Sequence, residues 1–323
     1  MRKSNVITIA GFVISLVLLY FSLKDIRFHE IMTTLQRTNP WLLPAPLVFI
    51  IIAVVLCSFR WSRLIGSAVG FLDTFAALMI GLFVNNVLPA RIGEVARAYV
   101  ISKKSGLSFT FSFSTVLLDR FFDLTGLLLI AFIFLPDESL PTAVSRSIYI
   151  LIAFLILCIA CMILFSREQF ANRVAGMFMR IKRPLFSKLA DRVFMIQENL
   201  KRINSPLNLI LSVILSFCIW FSMTIALYLV ILMLGVRIDF RVIPFVCALL
   251  NLGLTIPSSP GYVGVYQFLL VYLLAIFGVP KYEGFTISII YHAMWFIPYN
   301  IMGFLYLLKE HLKIREIRKL EKN

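Results

Sequence analysis

Nine apolar stretches divide the 323-residue chain, at about 6–23, 41–58, 71–88, 113–135, 147–165, 207–234, 242–257, 262–278 and 284–308. Coiled as helices, runs of about 17–25 apolar residues match the hydrocarbon thickness of a bilayer. The chain is 60% hydrophobic with mean hydropathy +0.93, whereas a soluble domain is nearer half apolar. It reads as an all-α polytopic integral membrane protein with about 6–8 transmembrane helices, forming one domain over residues 1–323. No segment alternates polar and apolar residues as a membrane barrel strand would. The first run, Val6 to Leu23, is too long for a signal-peptide core and no small-residue cleavage site follows it, so it reads as a retained span.

Three runs are short, 71–88, 242–257 and 262–278, and each borders a Pro/Gly break, "LPARIG" or "IPSSPGYVG". One or two re-entrant hairpins are expected there. Net charge is +15, carried by loops and tail. Orientation and anionic lipid head groups explain such charge better than nucleic acid does. The loop 166–206 holds nine Lys/Arg against three acids, and 309–323 holds six against three; both are expected in the cytosol. The connection 136–146 has one Arg against two acids and is expected outside. The location is then the cytoplasmic membrane, multi-pass, with a cytosolic C-terminus.

Two topologies fit these charges. In one, the N-terminus is inside and 71–88 dips into the membrane and returns. In the other, the N-terminus is outside and 71–88 crosses. The first is preferred because "MRK" leads into the first span and 71–88 ends in "NNVLP". In both, 242–278 enters and leaves from outside. Opposed hairpins are the layout of an inverted repeat, and the tips "PARIG" (89–93) and "PGYVG" (260–264) share P-x-x-[IV]-G. The loop 166–206, "RVAGMFMRIKRPLF" within it, reads equally as a basic amphipathic helix on lipid or as a solvated connector.

Ionisable residues inside membrane runs mark sites where charges pair or line a pathway. The first group lies in "NNVLPARIGEVAR", Asn85 to Arg97. If a helix starts after Pro89, then Arg91, Glu94 and Arg97 fall at i, i+3 and i+6, with Glu94 in reach of both arginines. Asn85, Asn86 and Gly93 flank them. The second group is "LLDRFFDL": Asp119 and Asp123 share a helix face and Arg120 points about 100° away. Together the groups carry three arginines and three carboxylates, so one balanced network is expected, either locking helices or gripping an anionic group. The third group is "IPSSPGYVGVYQ". Pro257 and Pro260 break the helix, Gly261 and Gly264 permit unusual dihedrals, and Gln267 follows. His292 reads as a satisfied internal hydrogen-bonding residue.

The five cysteines lie in or beside apolar runs and read as small apolar side chains, including "CIAC" at 158–161. The chain has no H-E-x-x-H, Walker A or G-x-S-x-G motif. No cofactor or metal is expected, and no catalytic residue is assigned.

"LPARIGEVAR", "LLDRFFDL" and "PSSPGYVGVYQ" resemble the family of the lysylphosphatidylglycerol synthase transmembrane region, also called flippase-like or uncharacterised membrane family 0104. The resemblance covers nearly the whole chain. That family usually shows Glu-Arg where this chain has Asp119–Arg120, and often Glu where it has Gln267. The resemblance implies a membrane region that moves a lipid made by a fused cytosolic aminoacyl transferase. Only fifteen residues follow Leu308, so it implies the translocating part alone. The expected function is therefore transport of an anionic or polyprenyl-linked lipid, with membrane lipids as partners and no nucleic acid. The alternatives are a membrane enzyme using Glu94, Asp119 or Asp123 as base, and an accessory subunit that recruits a separate synthase through 166–206.

Overall fold

The computed structural model describes residues 3–88, 92–136, 167–179, 206–255 and 259–310, with isolated positions between 146 and 164. The described helices are α1 (Lys3–Leu23), α2 (Phe28–Gln36), α3 (Pro44–Ile65), α4 (Phe71–Val87), α5 (Gly93–Ser105), α6 (Phe109–Ile133), α7 (Glu168–Met179), α8 (Pro206–Met233), α9 (Ile243–Gly253), α10 (Val265–Ile276) and α11 (Lys281–Lys309). There is no strand among the described residues. Pro40–Ile65 and Leu207–Met233 are long and apolar enough to cross a bilayer. Large apolar side chains stay exposed on the outward faces: Phe12, Leu16 and Tyr20 on α1, Ile51 and Val55 on α3, Ile297, Ile301 and Leu305 on α11. Water disfavours so continuous an apolar surface, whereas lipid accepts it.

The order follows the apolar runs, with one extension that matters. The run 41–58 stops at Ser58, but α3 continues to Ile65 and carries Arg60 into the interior. At the first break, the described helix α5 begins at Gly93, and the expected helix start after Pro89 falls on 89–91, outside the described residues, with Pro89 and Arg91 among them.

α4 and α5 form a closed hairpin. A Cβ on Gly81 would sit 2.3 Å from Arg97 Cγ, and one on Gly93 would sit 2.1 Å from the Gly81 carbonyl oxygen. The two backbones touch because both residues lack side chains. The open ends of the hairpin meet as well. Lys104 Nζ, near the end of α5, lies 2.6 Å from Asp73 Oδ1 in the first turn of α4 and 2.7 Å from Glu310 Oε1 beyond α11. A helix that crossed the whole membrane between residues 71 and 88 would hold Asp73 and Lys104 apart.

α9 and α10 form the second hairpin, with Phe245 near the start of one and Phe277 just past the end of the other in edge contact, ring centroids 6.5 Å apart. Its open end lies at the opposite end of the bundle, where Lys281 Nζ donates to the Lys24 carbonyl. The hairpin tip is a short 3-10 turn, Pro260–Tyr262, with Pro257 outside the described residues. Gly264 has φ +91°, and a Cβ there would lie 2.1 Å from the Ser15 carbonyl oxygen of α1. Only glycine meets both demands. Ser15 Oγ also accepts a hydrogen bond from the Ser259 amide at 3.0 Å. The two tips approach each other: a Cβ on Gly261 would be 3.5 Å from the Asn86 carbonyl oxygen. The hairpins thus enter from opposite ends and meet about halfway along α11, beside Phe296.

Candidate functional site

The charged side chains of α3, α5 and α6 converge. Asp119 Oδ1 accepts from Arg60 Nε at 2.9 Å and from Nη2 at 2.7 Å; its Oδ2 accepts from Arg97 Nη2 at 2.8 Å. Asp123 Oδ1 accepts from Arg60 Nη2 at 2.7 Å, and its Oδ2 from Arg120 Nη1 at 3.0 Å. Arg120 Nε lies 3.6 Å from Glu94 Oε1. Three guanidiniums and three carboxylates therefore balance, as burial in low dielectric requires.

The membership differs from the sequence reading. Arg60 is a centre of the network and was not anticipated. Glu94 turns to Arg120 rather than to Arg97, because Arg97 reaches across to α6. Arg91 lies outside the described residues. Arg120 does not stand apart from its neighbours; its long side chain folds back to Asp123.

The three arginines are employed differently. Arg60 is 0% exposed and each of its three guanidinium nitrogens has a partner, adding Ser216 Oγ at 2.7 Å from Nη1 and the Asp119 carbonyl at 3.1 Å from Nη2. Arg97 is 1% exposed, yet its Nε and Nη1 have no partner among the described residues. Its Cζ stands 4.1 Å from the Trp61 ring centroid, a cation–π contact that holds the charge without using an N–H. Trp61 is itself fixed by donating to Thr115 Oγ1 at 3.1 Å. The Arg120 side chain is 37% exposed and lies at the rim. An arginine normally offers five N–H donors in a planar fork suited to phosphate. Arg60 is structural by this reckoning, while Arg97 and Arg120 keep donors for something else.

Asn85 ties the network to the hairpin break. Its Oδ1 accepts from the Gly93 amide at 2.7 Å, capping α5, and its Nδ2 donates toward Glu94 at 3.3 Å. Asn86, the next residue, faces the other way and is 6% exposed with no partner for Nδ2 among the described residues. Gln267 in the second hairpin accepts from the Gly264 amide at 2.7 Å through Oε1 and pairs with His292 Nδ1 at 3.0 Å through Nε2. Gln267 thus holds the bend at Gly264, a role that needs an amide rather than a carboxylate. Pro260 and Gly261 form the tip beside Asn86.

No group of three or more His, Cys, Asp or Glu that would hold a metal occurs among the described residues. At the Lys104 end, partial burial lowers the Lys104 ammonium, but its hydrogen bonds to Asp73 and Glu310 win and raise it above the ordinary lysine value.

The family described as "Lysylphosphatidylglycerol synthase TM region" matches residues 8–303. A UPF0104 membrane protein of Methanocaldococcus jannaschii is 27% identical over 229 residues, covering 69% of this chain and 92% of that protein. One from Methanothermobacter thermautotrophicus is 26% identical over 293 residues, covering 85% and 87%. One from Pyrococcus horikoshii is 23% identical over 338 residues, covering 95% and 97%. The match spans the charged network and both hairpins, and the chain belongs to the lysylphosphatidylglycerol synthase transmembrane-region family of helical membrane proteins.

Proposed function

We propose that the protein is a flippase-like transporter that carries an anionic lipid, a phospholipid or a polyprenyl-linked glycolipid precursor, across the cytoplasmic membrane. The observation that carries this reading is the division of labour among the arginines. Arg60 gives its hydrogen bonds to Asp119, Asp123 and Ser216, whereas Arg97 and Arg120 keep N–H groups for a phosphate that arrives beside the α4–α5 break. The lipid tails remain in the bilayer during this step. The Lys104 end is read as cytosolic, from the basic composition of 309–323 next to it.

The membrane-enzyme alternative needs an unencumbered carboxylate as base. Asp119 and Asp123 are each held by two arginines, which favours transport over chemistry. Recruitment of a synthase through 166–206 rests on a segment described only over 167–179.

The test is dithionite quenching of fluorescently labelled phosphatidylglycerol in proteoliposomes. Wild type is expected to move the lipid between leaflets, and Glu94→Gln with Arg120→Gln is expected to be abundant and inactive. Normal transport by that double variant would remove Arg120 from the lipid site. A chemically altered lipid in the extract would establish the enzyme reading.

A further inference from the structure

The bend of the second hairpin depends on one side chain that is hydrogen-bonded through both arms. Gln267 Oε1 accepts from the Gly264 amide at 2.7 Å, and Gln267 Nε2 lies 3.0 Å from His292 Nδ1. An amide side chain carries its acceptor on one arm and its donors on the other. With Oε1 committed to Gly264, Nε2 must donate to His292. Nδ1 is then an acceptor, and the proton of the neutral ring sits on Nε2. The ring is also directed at the backbone of Gly261. One histidine of α11 therefore addresses both ends of the tip, Gly264 through Gln267 and Gly261 directly.

The ring is surrounded by aromatic faces and has no counter-charge. His292 is 6% exposed and lies between Tyr266 and Trp295, centroids 4.5 and 4.7 Å away, with Phe296 edge-on at 5.3 Å. The titratable groups around this stack are the hydroxyls of Tyr262 at the tip, Tyr266 on α10, and Tyr291 and Tyr299 on α11. The Cys247 thiol of α9 packs in the same cluster. From α4 comes the Asn86 carbonyl, beside Gly261, and from α1 comes Ser15, beside Gly264; both are uncharged. Among the described residues no carboxylate lies within ion-pair distance of the ring.

A proton added to Nδ1 would point an N–H at the N–H of Gln267, donor against donor. Turning the amide over would satisfy the ring but would leave the Gly264 amide facing an NH2 group. In either arrangement a buried donor is stranded at the bend. The flanking rings attract a cation, so the charge can remain in the stack while the bond to the bend is lost. We propose that His292 Nδ1 is a proton-binding site that controls the second hairpin: the neutral ring lets Gln267 hold the bend closed, and the protonated ring releases the tip from α1 and α4. The proton comes from the water that the loosened tip admits. Because the open tip binds the proton better than the closed one, the closed form loses stability as pH falls. The site does not depend on what the protein carries.

The test uses purified full-length protein with a single cysteine, Ser259→Cys, in a cysteine-free background. Ser259 is 8% exposed and its amide is bonded to Ser15 Oγ at the tip. Methanethiosulfonate labelling is timed from about pH 7.5 to about pH 5.5, the range in which an exposed imidazole charges. The rate in denaturing detergent at the same pH is divided by the native rate, which removes the thiol's own titration and leaves a protection factor. Protection is expected to fall on acidification by at least about threefold overall, and by no more than about tenfold per pH unit, the limit for one proton. His292→Phe keeps the ring stack and is expected to make protection independent of pH. Gln267→Glu is expected to keep or raise protection in acid, because a carboxylate can accept from the Gly264 amide and from a protonated Nδ1 together. Flat protection in the parent, or an equal fall in His292→Phe, would overturn the proposal. If His292→Phe fails to fold, Gln267→Glu decides: a fall as steep as the parent's overturns it.

Discussion

Replacing Arg60 by methionine tests the division between structural and working arginines. The variant keeps an unbranched stem as far as the level of Nε and removes every hydrogen bond that Arg60 donates to Asp119, Asp123 and Ser216. Asp119 keeps Arg97, and Asp123 keeps Arg120 at 3.0 Å, but three carboxylates then face two guanidiniums. Breaking a buried pair by removing one partner costs about 3–5 kcal/mol. Against a total stability on the order of 5–15 kcal/mol, that is a large loss. Arg60→Met is expected to reach the membrane in low amount, with a clearly lowered melting temperature in detergent. Adding Asp123→Asn restores balance, since Arg97–Asp119 and Arg120–Glu94 remain paired, and most of the stability is expected to return. Arg120→Met is the contrast: Arg120 makes one hydrogen bond, to Asp123 at 3.0 Å, and a looser 3.6 Å pair with Glu94, and its side chain is 37% exposed, so its removal is expected to cost clearly less than that of Arg60 while abolishing lipid movement. The assays are fluorescence-detected thermal unfolding and dithionite quenching in proteoliposomes. A stable Arg60→Met that fails to transport, or an Arg120→Met that transports normally, would refute the assignment.

Arg97→Lys keeps the charge against Asp119 but gives up the fork, so near-normal abundance with transport reduced at least about tenfold is expected; wild-type transport would show that a point charge suffices. Gly264→Ala places a Cβ at φ +91° against the α1 backbone, a strain of about 1–3 kcal/mol before the clash is counted, and the protein is expected to be depleted from membranes on immunoblots. In a cysteine-free background, a cysteine at Lys281 is expected to react with an impermeant maleimide in intact cells, and one at Lys104 only after permeabilisation; the reverse pattern would invert the topology.

The sequence made the fold class and the Asp119–Arg120–Asp123 cluster legible, because charge inside an apolar run is conspicuous. Arg60 escaped because the apolar run is bounded at 58, which leaves "FRWSRL" outside it. Helical phase held the missing signal: Ile50, Val54, Trp61 and Leu64 are all buried on α3, and Arg60 falls on that same face. The expected Glu94–Arg97 pair failed for a different reason. Spacing along one helix sets who can meet, but Asp119 on another helix offers Arg97 a fully buried partner. Asn86 was legible only as a polar residue near a break; its carbonyl comes level with Gly261 of the other hairpin. That is a tertiary fact no local pattern encodes.

The energetics divide the molecule into a part that holds and a part that can move. α3, α6 and α8 are bound by the saturated Arg60 centre, with Ser216 on α8 and both aspartates on α6, where separation would strand buried charge. The α4–α5 hairpin joins this unit through Arg97 to Asp119 and through the looser Glu94–Arg120 pair at 3.6 Å. At the Lys104 end it is tied to Glu310 by a partly exposed ion pair, of a kind worth about 0–1 kcal/mol. A phosphate taken by the unpartnered Arg97 Nε and Nη1 and by Arg120 would bring a further anion beside Asp119 and Glu94, so the contacts that ligand binding would loosen are those joining hairpin to core. The opposite hairpin is held at Gly264 by Gln267 and at Ser259 by Ser15, with no ion pair among the described residues across its tip. Opening between the tips at Asn86 and Gly261 therefore breaks van der Waals contact rather than buried charge pairs. On the transport reading proposed above, opening there would give a lipid head group a route between the opposed hairpins while the Arg60 centre stays closed.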